Sequence, residues 1–166
     1  MGTLNLGSNG TINGVVTKPE HPYMVRQPNS NPTVNNNTFT KISTMFGTSH
    51  VLQGGMAFDA STGRITFPRV GLYRLNVKVN TETEGYYGNN SKLSPYLNGS
   101  VYIHNQLFYQ GVLNKGSAAW YYPYFLNICV DITNTSDYVE IWMYQDSGSN
   151  VTLHNVFGYL EVYLIG

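Results

Sequence analysis

Residues 72–80 read Leu-Tyr-Arg-Leu-Asn-Val-Lys-Val-Asn and carry the clearest structural signal in the chain. The odd-numbered positions from Tyr73 to Val79 are apolar or aromatic, whereas the even-numbered positions from Arg74 to Asn80 are polar. Successive side chains of a β-strand point to opposite faces of the sheet. The alternation therefore predicts a strand with one face in a core and one polar face.

Further strand signals lie on both sides of this segment. Residues 57–67 give two strand fragments around a turn at residues 61–63, and Asn98-Gly99 is a strong signal for a two-residue hairpin. Three more strands are predicted over 124–133, 138–145 and 156–165. Eight or more short strands at this spacing predict an all-β fold, an antiparallel sandwich or barrel.

Residues 1–38 have a different composition. Gly, Asn, Pro and Thr dominate there, apolar residues are scattered, and neither a helical nor a strand period persists. We therefore predict two parts: an extended N-terminal arm over residues 1–38 and a β-domain over residues 39–166. Such an arm becomes ordered only by lying against its own domain or a neighbouring subunit. Its candidate anchors are Leu4, Leu6, Ile12, Val15, Val16, Tyr23, Met24 and Val25.

Length and charge exclude several classes of protein. The 166 residues suit one domain, and nine Lys and Arg balance nine Asp and Glu. This neutral balance argues against a nucleic-acid partner bound through excess basic charge. The sequence has neither a long apolar run nor the basic and apolar start of a signal peptide, so we expect no membrane insertion and synthesis in the cytoplasm. The single cysteine, Cys129, excludes an internal disulfide.

The last strands carry apolar or aromatic side chains on both faces. In residues 125–132 one face is aliphatic and the other presents Phe125, and the final strand repeats this arrangement. A monomeric sandwich leaves the outer face of each sheet polar, so covered second faces predict subunit contacts. The candidate interface residues are Phe125, Asn127, Cys129, Phe157, Tyr159 and Tyr163.

Residues 58–73 resemble a family pattern in which a short turn ends in Gly-(Lys/Arg)-Phe-Thr-x-Pro and a Gly-x-Tyr opens a long strand. The matching segments are Gly63-Arg-Ile-Thr-Phe-Pro68 and Gly71-Leu-Tyr73. The pattern belongs to the globular head of complement component one, subcomponent q, and to the related tumour-necrosis-factor-like (TNF-like) jelly rolls. Asn98-Gly99 lies where the family has its Asn-Gly turn. Residues 156–160 are similar to the terminal Phe-x-Gly-(Phe/Tyr)-Leu strand, without the residue between Phe and Gly.

This resemblance covers residues 39–165 and implies a ten-stranded antiparallel jelly-roll sandwich. It also implies a homotrimer in which the inner sheets pack around a threefold axis, and a role in binding. Residues 1–38 carry no Gly-X-Y repeat, which argues against a role in vertebrate complement.

No catalytic motif is present in the sequence, and no paired cysteine ligands occur. We therefore predict that the protein is not an enzyme and has no cofactor or metal. The histidines are far apart and are interpreted as surface residues: His21, His50, His104 and His154. The loop at 146–150 has only one carboxylate, so it is interpreted as an ordinary polar loop rather than a calcium site.

The aromatic run at residues 120–125 is the most unusual local feature. Such a cluster either stacks on sugar rings and anchors a partner, or fills the end of the sandwich or the trimer seam. The candidate contacts to a host surface glycan or another partner are Trp120, Tyr121, Tyr122 and Tyr124.

Neutral charge, polar loops, small size and an extended arm are typical of a self-assembling particle component. We predict a viral structural protein, of a tailed bacteriophage: a trimeric capsid-decoration or head-fibre protein on the virion surface, made in the host cytoplasm. Residues 1–38 would anchor it to a capsid or other virion protein. Two alternatives stay open. One is the receptor-binding tip of a tail fibre that recognises a host glycan or surface protein, and the other is a bacterial surface or secreted lectin-like ligand.

Overall fold

The computed structural model describes residues 20–81, 91–102, 105–106 and 122–166. The described residues form thirteen strands and one short 3₁₀ helix, Ser43–Met45, so the predicted all-β class is confirmed. No helix among them is long and apolar enough to cross a membrane. The strands are β1 (Tyr23–Gln27), β2 (Thr33–Val34), β3 (Thr40–Lys41), β4 (Thr48–Gln53), β5 (Ala57–Asp59), β6 (Arg64–Thr66), β7 (Gly71–Thr81), β8 (Lys92–Leu97), β9 (Ser100–Val101), β10 (Asn105–Gln106), β11 (Tyr122–Ile132), β12 (Tyr138–Tyr144) and β13 (Val151–Leu164).

These strands assemble into two antiparallel sheets packed as a sandwich. Within the described residues, the first sheet has six strands in the order β11-β7-β13-β1-β4, with β2 paired to the start of β13. The second sheet has seven described strands in the order β10-β8-β12-β6-β5, with β3 beside β12 and β9 beside β8. Some of these strands are only two residues long, which is why their number exceeds the ten that the resemblance implied.

The alternation in β7 places its side chains as predicted. Tyr73, Leu75, Val77 and Val79 are buried in the core between the sheets. Apolar side chains of β12 from the opposite sheet belong to the same cluster, so one core joins both layers. The polar positions of β7 line the outer face of the first sheet. Asn80 is buried as well, and its Nδ2 donates to the carbonyl oxygen of Val156 at 2.6 Å.

The residues in two turns explain the conformations that these turns adopt. Asn98 and Gly99 adopt φ values of 52° and 80°, as a tight hairpin turn with two left-handed residues requires. In the turn after β5, the Asp59 carboxylate accepts hydrogen bonds from the hydroxyls and backbone amides of Ser61 and Thr62. These hydrogen bonds lower the pKa of Asp59 to about 2, and the bond from the Ser61 hydroxyl has the largest effect. Both predicted turns are confirmed.

The predicted arm needs correction, because β1 is an inner strand of the first sheet. It pairs with β13 on one side and with β4 on the other, and Met24 is fully buried in the core. Pro22 and Pro28 lie just outside the strand, so neither removes a hydrogen bond from the ladder. The boundary predicted between residues 38 and 39 is therefore wrong for the described part of the arm.

This correction changes the role of the candidate anchors. Tyr23, Met24 and Val25 are strand residues of the domain rather than contacts to another particle component. The remaining candidate anchors lie outside the described residues: Leu4, Leu6, Ile12, Val15 and Val16.

A bulge interrupts β13 where its sequence lacks one residue of the family pattern. The register with β7 shifts between His154 and Tyr159, and Phe157 within the bulge has a φ of 60°. Left-handed φ is rare for a bulky residue. The bulge leaves Phe157 71% exposed.

Candidate functional site: the outer face of the first sheet

Three rows of side chains cross the outer face of the first sheet, which we call the seam face. The pairing registers of β11, β7, β13, β1 and β4 define these rows. The first contains Cys129, Arg74, Tyr163 and Tyr23; the second contains Asn127, Asn76, Glu161, Val25 and Val51; the third contains Phe125, Lys78 and Tyr159. Five of the six candidate interface residues thus lie together on one face, and Phe157 is in the bulge beside it.

The polar groups of the second row bond to one another. Asn127 Nδ2 donates to Asn76 Oδ1 at 2.6 Å, and Asn76 Nδ2 donates to Glu161 Oε2 at 2.7 Å. The Tyr23 hydroxyl donates to Glu161 Oε1 at 3.1 Å. Burial, followed by the interaction with Glu161, raises the pKa of Tyr23. Because these groups already have partners, a second surface can cover the row without leaving them unsatisfied.

An apolar pocket opens beside this row, where β13, β1 and β4 meet. Its volume is about 370 Å³, and its walls include Tyr23, Val25, Val51 and Tyr159. His50 and Glu161 supply its polar groups. The size lies within the range of about 300–1,000 Å³ that is typical of ligand and side-chain pockets.

An exposed phenylalanine marks the opposite edge of the seam face, and a second lies in the bulge of β13. Phe125 on β11 is 41% exposed, and the Lys78 ammonium lies 5.7 Å from its ring centroid. Phe157 projects from the bulge near the same end of β7. Large apolar side chains that cluster in this way on one face are a common mark of a protein contact.

Sequence reasoning missed the neighbour of Cys129. The sequence around Cys129 offers no cation, but antiparallel pairing of β11 with β7 places Arg74 opposite it, with Nη1 3.3 Å from the sulfur. Only the register between β7 and β11 reveals this contact, because the two residues are 55 positions apart in the sequence.

A second surface, which sequence reasoning also missed, lies on the outer face of the second sheet. Phe39, Tyr96, Trp142 and Tyr144 form an aromatic cluster there. Tyr96 and Trp142 stack with ring centroids 4.9 Å apart, and Phe39 lies 5.2 Å from Tyr144. The available signal was the pair Trp142 and Tyr144 on the even-numbered, outward positions of β12, whose odd-numbered neighbours are buried.

Solved structures with the same arrangement of sheets identify the fold. Eiger TNF from S. frugiperda superposes with a TM-score of 0.59 at 9% identity, covering 90% of this chain and 94% of that one. The chain has a TNF-like jelly-roll fold. Crystal structures of murine APRIL at pH 8.0 and pH 8.5 give TM-scores of 0.57 and 0.56 at 9% and 13% identity, each covering 87% of this chain and 99% of theirs. No protein-family model matches the chain, and no curated protein matches it.

Within the jelly roll, one predicted ligand contact is wrong. Tyr124 is 7% exposed and belongs to the core, because it lies on the inward face of β11. Trp120, Tyr121 and the side chain of Tyr122 lie outside the described residues.

The described histidines and the loop after β12 make contacts within the domain. His21 bonds the carbonyl oxygen of Leu164, His50 lines the seam-face pocket, and His154 Nδ1 accepts from the amide of Val156. His104 lies outside the described residues. Gln145 ties the loop together through Ser147 and Ser149. The described residues contain no group of three side chains suited to a metal ion.

Proposed function

We propose that this protein is a homotrimeric viral structural protein, with three jelly rolls packed around a threefold axis through their seam faces. The observation that carries the trimer is the character of that face. It combines exposed Phe125 and Phe157 with half-buried tyrosines.

Physical reasoning supports burial of this face. Its apolar groups gain free energy when they leave water, at about 25 cal/mol per Å². The polar groups of its central row already bond to one another, so few of them lose a hydrogen bond to water when the face is buried. Phe125 on β11 and the apolar pocket at β13, β1 and β4 lie on opposite sides of the face, and features displaced in this way favour a head-to-tail contact that closes into a ring.

The particle role rests on the composition of the chain: neutral charge and loops rich in Asn, Gly, Ser and Thr. Because β1 belongs to the domain, we propose that the anchor to a capsid or other virion protein is confined to residues 1–19. This segment holds the apolar anchors Leu4, Leu6, Ile12, Val15 and Val16.

Light scattering tests the trimer. The chain should have a mass near three times 18.6 kDa. Phe125→Asp should shift the mass toward one chain, because a carboxylate would be buried in the seam. Val70→Asp is the matched control, since Val70 is 53% exposed in a turn outside the seam face. A wild-type chain that stays a monodisperse monomer at micromolar concentration would refute the trimer.

The particle role needs a separate test. Purified virions of the source virus should contain the full-length chain, and a chain that lacks residues 2–19 should form trimers that no longer bind them. Truncated trimers that decorate particles at the full-length level would contradict the proposed anchor.

A further inference from the structure

We infer that the outer face of the second sheet carries a binding site for a carboxylated sugar, centred on Tyr96, Trp142 and Tyr144. This face lies on the opposite side of the sandwich from the seam face. The inference therefore goes beyond the proposed function, because it depends on neither the trimer nor the particle.

The aromatic rings supply the apolar part of the site. Tyr96 and Trp142 are stacked with an interplanar angle of 29°, and Tyr144 stands on the same face one position along from them. All three remain partly exposed. A pyranose ring has a face of C–H groups that packs on the electron-rich face of an aromatic ring, whereas its hydroxyls remain in water. The cluster is thus suited to a ligand that is apolar on one face and polar around its edge.

Cations beside the rings supply the charge. The Lys92 ammonium lies 5.7 Å from the Tyr144 ring centroid, and no carboxylate of the described residues pairs with it. The Lys41 ammonium lies 5.8 Å from the Trp142 centroid and shares the carboxylate of Glu140 with Arg64. Lys41 and Arg64 thus have carboxylates beside them on this surface, Glu140 and, opposite Arg64 on β5, Asp59, whereas Lys92 has none among the described residues. The Lys92 ammonium beside Tyr144 is therefore the charge that complements an acidic ligand.

A buried hydroxyl is a third and independent observation. Ser94 pairs with Trp142 across β8 and β12, so its side chain lies on the same face as the rings. Its Oγ is fully buried and has no hydrogen-bond partner. An unpartnered buried hydroxyl is costly. Because this oxygen has no exposed surface, a sugar hydroxyl would provide the missing partner only where the Trp142 ring shifts to admit it.

The same chemistry is used to bind single-stranded nucleic acid, where bases stack on aromatic side chains along a basic groove. The structure favours a sugar over that ligand. A polyphosphate chain needs a succession of unpaired cations, whereas this face has one lysine without a carboxylate partner among the described residues.

Isothermal titration calorimetry of the full chain tests the site with three probes: trigalacturonic acid, neutral maltotriose and an oligothymidylate. Trigalacturonic acid should bind saturably and several-fold more tightly than maltotriose. No saturable heat at about 10 mM trigalacturonic acid would overturn the inference. Equal affinity for maltotriose, or tighter binding of the oligothymidylate, would overturn it as well.

Two variants locate the site. Trp142→Ala should lower the affinity for trigalacturonic acid by about tenfold, because the variant loses one ring on which the sugar stacks. Lys92→Gln should lower the affinity for trigalacturonic acid by about threefold and leave the affinity for maltotriose unchanged. Lys92 is partly exposed, so this substitution removes no core packing. Arg69→Gln, at an exposed cation in a turn far from the cluster, is the control and should change nothing. Unchanged affinity in Lys92→Gln would refute the charged part of the site. Light scattering of the same samples measures the oligomeric state separately, so a failure of the trimer proposal can be distinguished from a failure of the sugar site.

Discussion

At the scale of single residues, a few buried polar side chains fix the loops between strands. Asp137 is 6% exposed and accepts hydrogen bonds from Asn98 Nδ2 at 2.8 Å, from the amide of Thr133 at 3.1 Å and from the amide of Asn134 at 2.9 Å. It thereby joins the turn before β12 to the hairpin after β8. The hydrogen bond from Asn98 is the largest cause that lowers the pKa of Asp137 below its usual value.

Asp137→Ala should lower the free energy of unfolding by about 1–3 kcal/mol at neutral pH, because buried donors lose their acceptor. A carboxylate with a lowered pKa stabilises the fold above its unfolded value of 3.8, and this contribution is lost as the pH falls through the folded pKa. The difference between wild type and variant should therefore shrink below pH 3.8. Urea unfolding across this pH range measures it, with Asp131→Ala, at an exposed position of β11, as the control. A difference independent of pH would contradict the assignment.

At the scale of elements, close packing around β13 restricts which residue fits at position 158. A Cβ atom on Gly158 would lie 2.7 Å from Pro28 Cγ and 3.0 Å from the carbonyl oxygen of Lys78. Both distances are shorter than ordinary contacts, so the bulge and the segment after β1 fit together only around a residue with no side chain.

Gly158→Ala should accordingly destabilise the fold by about 1–3 kcal/mol through overpacking. Thermal unfolding measures the effect. Gly166→Ala is the control, because nothing lies within 4 Å of the atom that it adds. A melting temperature equal to that of the wild type would show that the bulge has room to move.

The elements that the sequence predicts are those with local signals. β7 has eight alternating residues, 73–80, and the hairpin has Asn98-Gly99, so neither depends on distant partners. β1 is five residues long between prolines, and its partner β13 begins more than 120 residues later. Local periodicity is too short there to distinguish a strand from an arm. The aromatic cluster was missed for a related reason, because only strand pairing brings Tyr96 and Trp142 together.

At the scale of the whole molecule, the described part of the N-terminal region belongs to the domain. Met24 and Val34 are fully buried, and Arg26 donates to the carbonyl oxygens of Phe46 and Gly47 at 3.0 Å and 2.6 Å. These contacts tie residues 23–34 to the core.

Two deletions separate these parts. Removal of residues 2–38 should abolish folding, since losing one buried Met alone costs about 2–5 kcal/mol and whole domains are stable by about 5–15 kcal/mol. Removal of residues 2–19 should leave the fold intact, because the described core, which begins at Met24, is retained whole. Circular dichroism with thermal unfolding distinguishes the two. A folded product of the longer deletion would show that β1 is dispensable.

The place of β1 between β4 and β13 also sets an order of events on the ribosome. β4 emerges soon after β1, so these two strands can pair early, but β13 begins at Val151. At about 5–20 residues per second, the 123 residues between the end of β1 and the start of β13 take roughly 6–25 seconds to translate. Throughout that interval one edge of β1 has no native neighbour, and an open strand edge is a template for pairing with other chains. Nascent chains on one polysome would thus be most exposed to mispairing with one another before their last strand appears.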